Sequence, residues 1–146
     1  MKTFTAVLLA VIFLASVSAM TVQEQRQMMI GVATDCKSKT GANDNDLSLL
    51  ILKKPMTTHE GKCLMFCIME GMGVMDAATR TLKKDEFIEY ISIPAKGDQA
   101  LIGKLSAIAE KCALITDDDS CEMAFKSAAC IKTAMAAQKI KTDIGI

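Results

Sequence analysis

The chain has 146 residues with 17 basic and 17 acidic side chains, and 51% of its residues are hydrophobic. Its charges are scattered and balanced, and it has no tryptophan and only 4% aromatic residues, so neither a basic patch nor a base-stacking platform is available. The composition therefore excludes nucleic acid as a partner and favours a single apolar core.

The N-terminal residues have the pattern of a secretory signal peptide. Lys2 precedes an apolar stretch that ends in the small residues Val17-Ser18-Ala19. Such a stretch is shorter than a membrane-spanning helix requires. We therefore expect residues 1–19 to be a signal peptide cleaved after Ala19, and residues 20–146 to form one secreted, extracellular domain.

Helical periodicity dominates the rest of the chain, and no stretch alternates at period two for long enough to predict a strand. Residues 22–36 carry apolar side chains at helical spacing, so we expect the first helix there, followed by a polar loop over residues 41–46. The second helix is short. It runs from Asp46, its expected N-cap, to Lys54, because Pro55 cannot continue it.

The third and fourth helices also have recognisable ends. Thr57 or Thr58 is the expected cap of the third helix, which runs to the segment Gly71-Met72-Gly73. The fourth helix is expected over residues 83–93, and it ends before Pro94 because proline lacks the amide donor of a helix interior.

The last two helices complete a predicted all-α fold of six helices. The sixth follows Asp117–Asp119, acidic residues that suit a helix N-terminus, and runs over residues 120–138. Residues 139–146 form a tail, which either folds over the core as a lid or is disordered. The fifth helix has the most regular apolar stripe, at Leu101, Leu105, Ile108, Cys112 and Ile115.

Six cysteines lie beyond the expected cleavage site, and an even number in a secreted chain indicates three disulfides. Cys121 and Cys130 are on opposite sides of one helix, so they cannot bond to each other. Cys63 and Cys67 share a helix face but point in parallel directions, so each needs a separate partner. Ten of the 15 possible pairings remain, and helix geometry does not choose among them.

Catalysis and metal binding are not expected. A zinc site would need a second pair of cysteines with matching spacing, and His59 is the single histidine. With every cysteine in a disulfide, His59 beside Glu60 is the one candidate pair for acid–base chemistry. We therefore predict no enzyme activity, no cofactor and no metal. His59 itself is either a pH switch near the mouth of a pocket or a solvated residue in the first turn of a helix.

The cysteine spacing carries a family resemblance. The intervals between successive cysteines hold 26, 3, 44, 8 and 8 residues. This spacing, with Cys63-x3-Cys67 and Cys121-x8-Cys130 as its most specific parts, resembles the six-cysteine insect odorant-binding proteins. The segment Cys63–Gly73 is also similar to the third helix of that family. The match covers the chain from residue 20 onward, although the interval of 44 residues is long for the family.

The resemblance implies a particular cross-linking and a hollow fold. The implied disulfides are Cys36–Cys67, Cys63–Cys121 and Cys112–Cys130. Together they make one of the ten pairings left open. The implied fold is a disulfide-stapled bundle of six helices that encloses an apolar cavity. An empty cavity destabilises a small domain, and three disulfides, at about 2–4 kcal/mol each, would offset that cost.

The resemblance also implies a set of residues that line the cavity. Many of them are methionines, whose flexible thioether side chains adapt to varied apolar ligands. The alternative is that these residues are ordinary core. The positions that match the family's pocket are Met29, Met65, Met69, Val74, Met75, Phe87, Tyr90, Ile91, Ala109 and Ile131.

Two functions are compatible with these patterns. The first is a carrier of small apolar, odorant-like or pheromone-like molecules, with a membrane odorant receptor as a further partner, present as a monomer or weak homodimer. The second is a secreted helical effector, such as a venom or salivary component, that acts through its surface. A saturable apolar ligand would distinguish the carrier from the effector.

Overall fold

The computed structural model describes residues 20–141, so the expected signal peptide and residues 142–146 lie outside the described part. Within that part the predicted all-α fold of six helices is confirmed, with one short hairpin added. None of the helices in this range is long and apolar enough to cross a bilayer. The elements are α1 (Val22–Thr40), α2 (Asp44–Ile51), α3 (His59–Gly71), β1 (Met75–Asp76), β2 (Thr81–Leu82), α4 (Lys84–Ala95), α5 (Gln99–Cys112) and α6 (Ser120–Ala137).

Helix α1 is one turn longer than its apolar stripe predicts. Thr21 caps its first turn and shares a reciprocal capping box with Glu24. At the other end Gly41 adopts φ +73°, the left-handed conformation that ends a helix and that glycine adopts without strain. The polar loop is therefore shorter than expected.

The expected role of Asp46 as an N-cap is wrong. Asn43 caps α2, and Asp46 occupies the third helical position, where its Oδ2 accepts a hydrogen bond from the Asn43 amide. The carboxylate is fully buried, and its Oδ1 also accepts from Thr58 Oγ1 at 2.6 Å. Thr58 in turn caps α3 by accepting from the Gly61 amide, so Asp46 joins the N-termini of α2 and α3. Helix α2 ends at Ile51 rather than at Lys54.

The expected end of α4 before Pro94 is also wrong, because the proline lies inside the last helical turn. Pro94 provides no amide for the carbonyl of Tyr90, four residues earlier. The buried side chain of Gln25 reaches across from α1, and its Nε2 donates to that carbonyl at 3.0 Å. A donor from another helix thus takes the place of the missing backbone donor, and α4 continues to Ala95.

A small hairpin separates α3 from α4, and the sequence pattern did not predict it. Each strand has two residues, with Met75 paired to Leu82 and Asp76 to Thr81, which is too short to show alternation. The carboxylate of Asp76 accepts from the amides of the turn that joins the strands, at 2.8 and 2.9 Å.

The three disulfides join four of the helices. Cys36–Cys67 links α1 to α3, Cys63–Cys121 links α3 to α6, and Cys112–Cys130 links α5 to α6. These are the pairs that the family resemblance implies. Beside the second disulfide, Lys62 forms a partly buried ion pair with Glu122 at 2.6 Å, which adds a polar link between α3 and α6.

Candidate binding site

The buried apolar residues form two clusters. The larger, here called the major core, is enclosed by α3, the hairpin, α4, α5 and α6. The smaller, the minor core, lies between α1, α2 and α3 around Cys36 and Leu64. Helix α3 contributes to both clusters, with Met69 in the major core and Leu64 and Ile68 in the minor core.

Most of the residues predicted to line a pocket converge in the major core. Eight of the ten are buried members of it, contributed by α3, the hairpin, α4, α5 and α6. The chain thus brings residues up to 62 positions apart into one apolar region. The eight are Met69, Val74, Met75, Phe87, Tyr90, Ile91, Ala109 and Ile131.

The remaining two predicted residues lie elsewhere. Met65 is partly buried and packs against the edge of the major core. Met29 packs against the minor core instead and is also partly buried. The structure therefore does not bring Met29 together with the other nine.

Helix α4 and the turn after α3 place the side chains that face the middle of the major core. Phe87 and Ile91 are one turn apart on α4 and are 0% and 1% exposed. Gly73, at φ +75°, reverses the chain after α3 so that Val74 and Met75 turn back under the bundle. Gly71, at the end of α3, allows close packing against α1, because a Cβ there would lie 2.7 Å from Cγ1 of Val32.

The major core includes further residues that the pocket prediction did not contain. Leu105 and Ile108 belong to the apolar stripe already visible in the fifth helix, so their burial could have been inferred from spacing. Cys112 belongs to the same stripe and Ala95 is at the end of α4. The rest lie on α6 or in the hairpin, where the sequence shows no single apolar stripe. They include Leu82, Met123, Ala124 and Met135.

The chemistry of the major core is apolar. Its buried members carry no ionisable acid or base other than the Tyr90 phenol and the disulfide-bonded Cys112. A charged guest would lose its hydration there without gaining an opposite charge. The described interior of the bundle therefore offers apolar contacts and no charged partner.

His59 lies away from the major core, at the first turn of α3. Its Nδ1 is 3.8 Å from Oδ2 of Asp119, and its Nε2 is 3.5 Å from Sγ of Cys63. The side chains of His59, Cys63 and Cys121 place potential metal-ligand atoms within 4.8 Å of one another. Both sulfurs are joined in a disulfide, however, and a metal would require their thiolates.

The start of the predicted tail packs against the core. Ile140 is partly buried against the major core, and its amide donates to the carbonyl of Met135 at 2.9 Å. This contact brings the tail to the side of the core formed by α6. The lid prediction for residues 142–146 lies outside the described residues.

Known proteins match both the sequence and the fold. The model of the PBP/GOBP family matches residues 18–134. General odorant-binding protein 19d of Drosophila melanogaster is 32% identical over 130 residues, which are 88% of this chain and 86% of that protein. The structure of odorant-binding protein dmelOBP28a from Drosophila melanogaster superposes with a TM-score of 0.73 at 29% identity, over 81% of this chain and 98% of that chain.

A more distant structure shares the fold. Odorant-binding protein 7 from Anopheles gambiae, which has four disulfide bridges and is in complex with an azo compound, superposes with a TM-score of 0.62 at 21% identity. The match covers 84% of this chain and 93% of that chain.

Proposed function

The chain belongs to the PBP/GOBP family, whose members are small-ligand carriers and not enzymes, and we propose that it is a secreted carrier that holds one small apolar molecule inside the major core. The proposed ligand is an odorant-like or pheromone-like compound with few polar groups. Binding is non-covalent and requires no cofactor.

The convergence of the predicted pocket residues carries this proposal. Eight of the ten residues chosen from the sequence by their match to the family's pocket are buried together in one apolar region rather than dispersed over the protein. Two of these eight, Met69 and Met75, are methionines, whose side chains rearrange at low cost around different ligands. Tyr90 offers the phenol through which an alcohol or carbonyl group would be recognised.

The proposed location of action is the extracellular fluid. The signal-like segment before residue 20 and the three disulfides both suit a secreted protein. In that fluid the carrier would sequester a poorly soluble molecule and release it at a membrane receptor or another destination. Its proposed form is a monomer or weak homodimer.

Fluorescence titration tests the carrier directly. The oxidised protein from residue 20 onward is titrated with the apolar probe N-phenyl-1-naphthylamine, and long-chain alcohols or esters then compete with it. We expect saturable one-to-one binding that the competitors reverse. Absence of saturable binding by the correctly cross-linked protein would instead support the surface-acting effector.

A packing variant locates the site. Replacing the fully buried Ala109 by leucine adds volume to the major core, and we expect it to weaken probe binding by about tenfold, because the larger side chain occupies space that the probe would take. Ala107→Leu, on the exposed face of the same helix, is the matched control. Circular dichroism verifies that both variants are folded.

Methionine methyl resonances provide a second readout that requires no mutation. With ¹³C-labelled methyl groups, the probe should shift the signals of Met69 and Met75 in the major core and leave that of exposed Met20 unchanged. Shifts confined to other methionines would place the ligand outside the major core and contradict the proposal.

A further inference from the structure

A second apolar concavity lies on the outside of the bundle, and we call it the outer groove. It runs between the segment that follows α2 and the outward face of α6, and its volume is about 450 Å³. That volume is within the range of small-molecule sites, roughly 300–1,000 Å³. Its apolar surface is provided mainly by Met56, Met65, Phe125, Ala128 and Ala136.

The outer groove differs from the major core in its charge. Lys53, Lys54 and Lys132 line it, and its described lining contains no aspartate or glutamate. Within residues 20–141, Lys54 and Lys132 form no ion pair with a carboxylate, whereas Lys37, Lys62 and Lys126 are each paired with one. In a chain with no net charge, this groove is therefore a local concentration of positive charge.

The cationic side of the outer groove is fixed by a contact between its two walls. Lys132, on α6, donates a hydrogen bond from Nζ to the backbone carbonyl of Lys53. Lys53 adopts φ +54°, an uncommon conformation for a residue with a side chain, so this carbonyl is presented by a constrained turn. The ammonium group of Lys132 is thereby held beside the apolar surface before any ligand binds.

We propose that the outer groove is a second ligand site, specific for long-chain monocarboxylates. The alkyl chain lies along Met56 and Phe125, and the carboxylate accepts charge-assisted hydrogen bonds from Lys54 and Lys132. An apolar wall beside Lys54 and Lys132, which have no carboxylate partner within residues 20–141, matches an anionic amphiphile, while the uncharged major core does not match its head group. This site is independent of the function proposed for the major core.

A matched pair of ligands tests the role of the charge. Dodecanoate, below its micellar concentration, and dodecanol have the same alkyl chain and differ in the head group. We expect Lys54→Met/Lys132→Met to weaken dodecanoate binding by on the order of tenfold, as for the loss of two partly exposed ion pairs, and to leave dodecanol binding unchanged. Lys96→Met/Lys104→Met, at exposed positions outside the groove, is the control with the same net charge.

A second measurement locates the carboxylate ligand. Dodecanoate should shift the methyl signal of Met56, and Ala129→Trp, which fills the groove from an exposed position, should abolish that shift. Ala107→Trp, on the exposed face of α5, should retain it. Both tryptophan variants are compared by circular dichroism to verify their fold.

Three results would overturn the second site. They are a Met56 signal that does not respond to dodecanoate, a dodecanoate affinity unaffected by the two lysine substitutions, and shifts confined to Met69 and Met75. The last result would assign the carboxylate to the major core. None of these results would affect the binding of the apolar probe to the major core. A failure of the second-site proposal is therefore distinguishable from a failure of the carrier proposal.

Discussion

A single hydrogen bond explains both the burial of Gln25 and the position of Pro94 inside α4. Gln25 is 4% exposed and lies on a helix whose other face is polar, and a buried amide must find partners within the protein. Its Nε2 donates to the Tyr90 carbonyl, which Pro94 leaves without the usual backbone donor of an α-helix. One long-range hydrogen bond therefore both satisfies the glutamine and anchors α4 to α1.

A double-mutant cycle should reveal this coupling. We expect Gln25→Ala to reduce the free energy of unfolding by about 1–3 kcal/mol, because a buried carbonyl loses its side-chain donor. In a Pro94→Ala background the alanine amide supplies a donor within α4, so the same substitution should cost less. Urea denaturation of the four proteins measures both quantities.

Gln27→Ala, on the exposed face of the same helix, is the control and should change stability by less than about 0.5 kcal/mol. An equal cost of Gln25→Ala in both backgrounds would show that Gln25 acts through packing alone.

Asp46 illustrates what sequence can and cannot predict about a single residue. The pattern of polar residues correctly predicts that a helix starts near it, but Asn43 and Asp46 are both good caps, and local preference does not rank them. The deciding contact is with Thr58, twelve residues later, whose hydroxyl donates to the buried carboxylate. Because that contact depends on how α2 meets α3, a prediction from local sequence could not have included it.

At the scale of elements, helix ends were predicted well where the capping signal is local. Thr58 caps α3 and the aspartates precede α6 as expected, since each side chain accepts from an amide two or three residues later. The end of α4 was wrong because the missing donor is replaced from another helix. The hairpin was not predicted because four paired residues carry too little periodicity.

The N-terminus of α6 also carries an ion pair that shifts two pKa values. The hydrogen bond from Lys126 lowers the pKa of the Asp117 carboxyl below its ordinary value, and the Asp119 amide lowers it further. The same hydrogen bond raises the pKa of Lys126. A carboxyl pKa that is lower in the folded state stabilises the fold above about pH 4, and this stabilisation is lost as the pH falls through the folded-state value.

Replacing Lys126 should show how much its hydrogen bond contributes to the low pKa of Asp117 and to the pH dependence of stability. In Lys126→Met we expect the pKa of Asp117 to rise toward its ordinary value, and the loss of stability on acidification below about pH 4 to become smaller. NMR titration of the side-chain carboxyl carbons measures the first, and urea denaturation at several pH values measures the second. Lys104→Met, on α5, should alter neither. An unchanged Asp117 titration would contradict the assigned role of Lys126.

At the scale of the whole molecule, the number of disulfides could be predicted from the sequence, but their pairing needed the family resemblance. Helix geometry excludes Cys63–Cys67 and Cys121–Cys130, and nothing in the spacing ranks the other pairings. The proposed binding sites also divide into residues that a family resemblance predicts and residues that only the structure reveals. Residues of the major core could be chosen by their match to a known pattern, whereas the outer groove combines a loop, α3 and the far end of α6, which only a three-dimensional arrangement brings together.

The three disulfides should not contribute equally to stability. Cys63–Cys121 closes a loop with a sequence separation of 58, against 18 for Cys112–Cys130. On the chain-entropy model the longer loop contributes about 4 kcal/mol to the free energy of unfolding and the shorter loop about 3 kcal/mol. Replacing Cys63 and Cys121 together by alanine should therefore destabilise the fold more than replacing Cys112 and Cys130.

Thermal unfolding of the two double variants, with the remaining disulfides verified by peptide mapping, measures the difference. A larger loss on removing Cys112–Cys130 would show that native packing around this disulfide, whose Cys112 is fully buried, decides its contribution rather than the entropy of the unfolded chain.

The distribution of the cross-links has a kinetic consequence. Of the helices that enclose the major core, α3, α5 and α6 each carry a disulfide, and α4 carries none. Its attachment to α1 consists of side-chain contacts such as the Gln25 hydrogen bond, which can break and re-form without any change in oxidation. No covalent bond has to break for α4 to move, so we expect a ligand to enter and leave the major core by displacement of α4, and its residence time to depend on how often α4 is displaced.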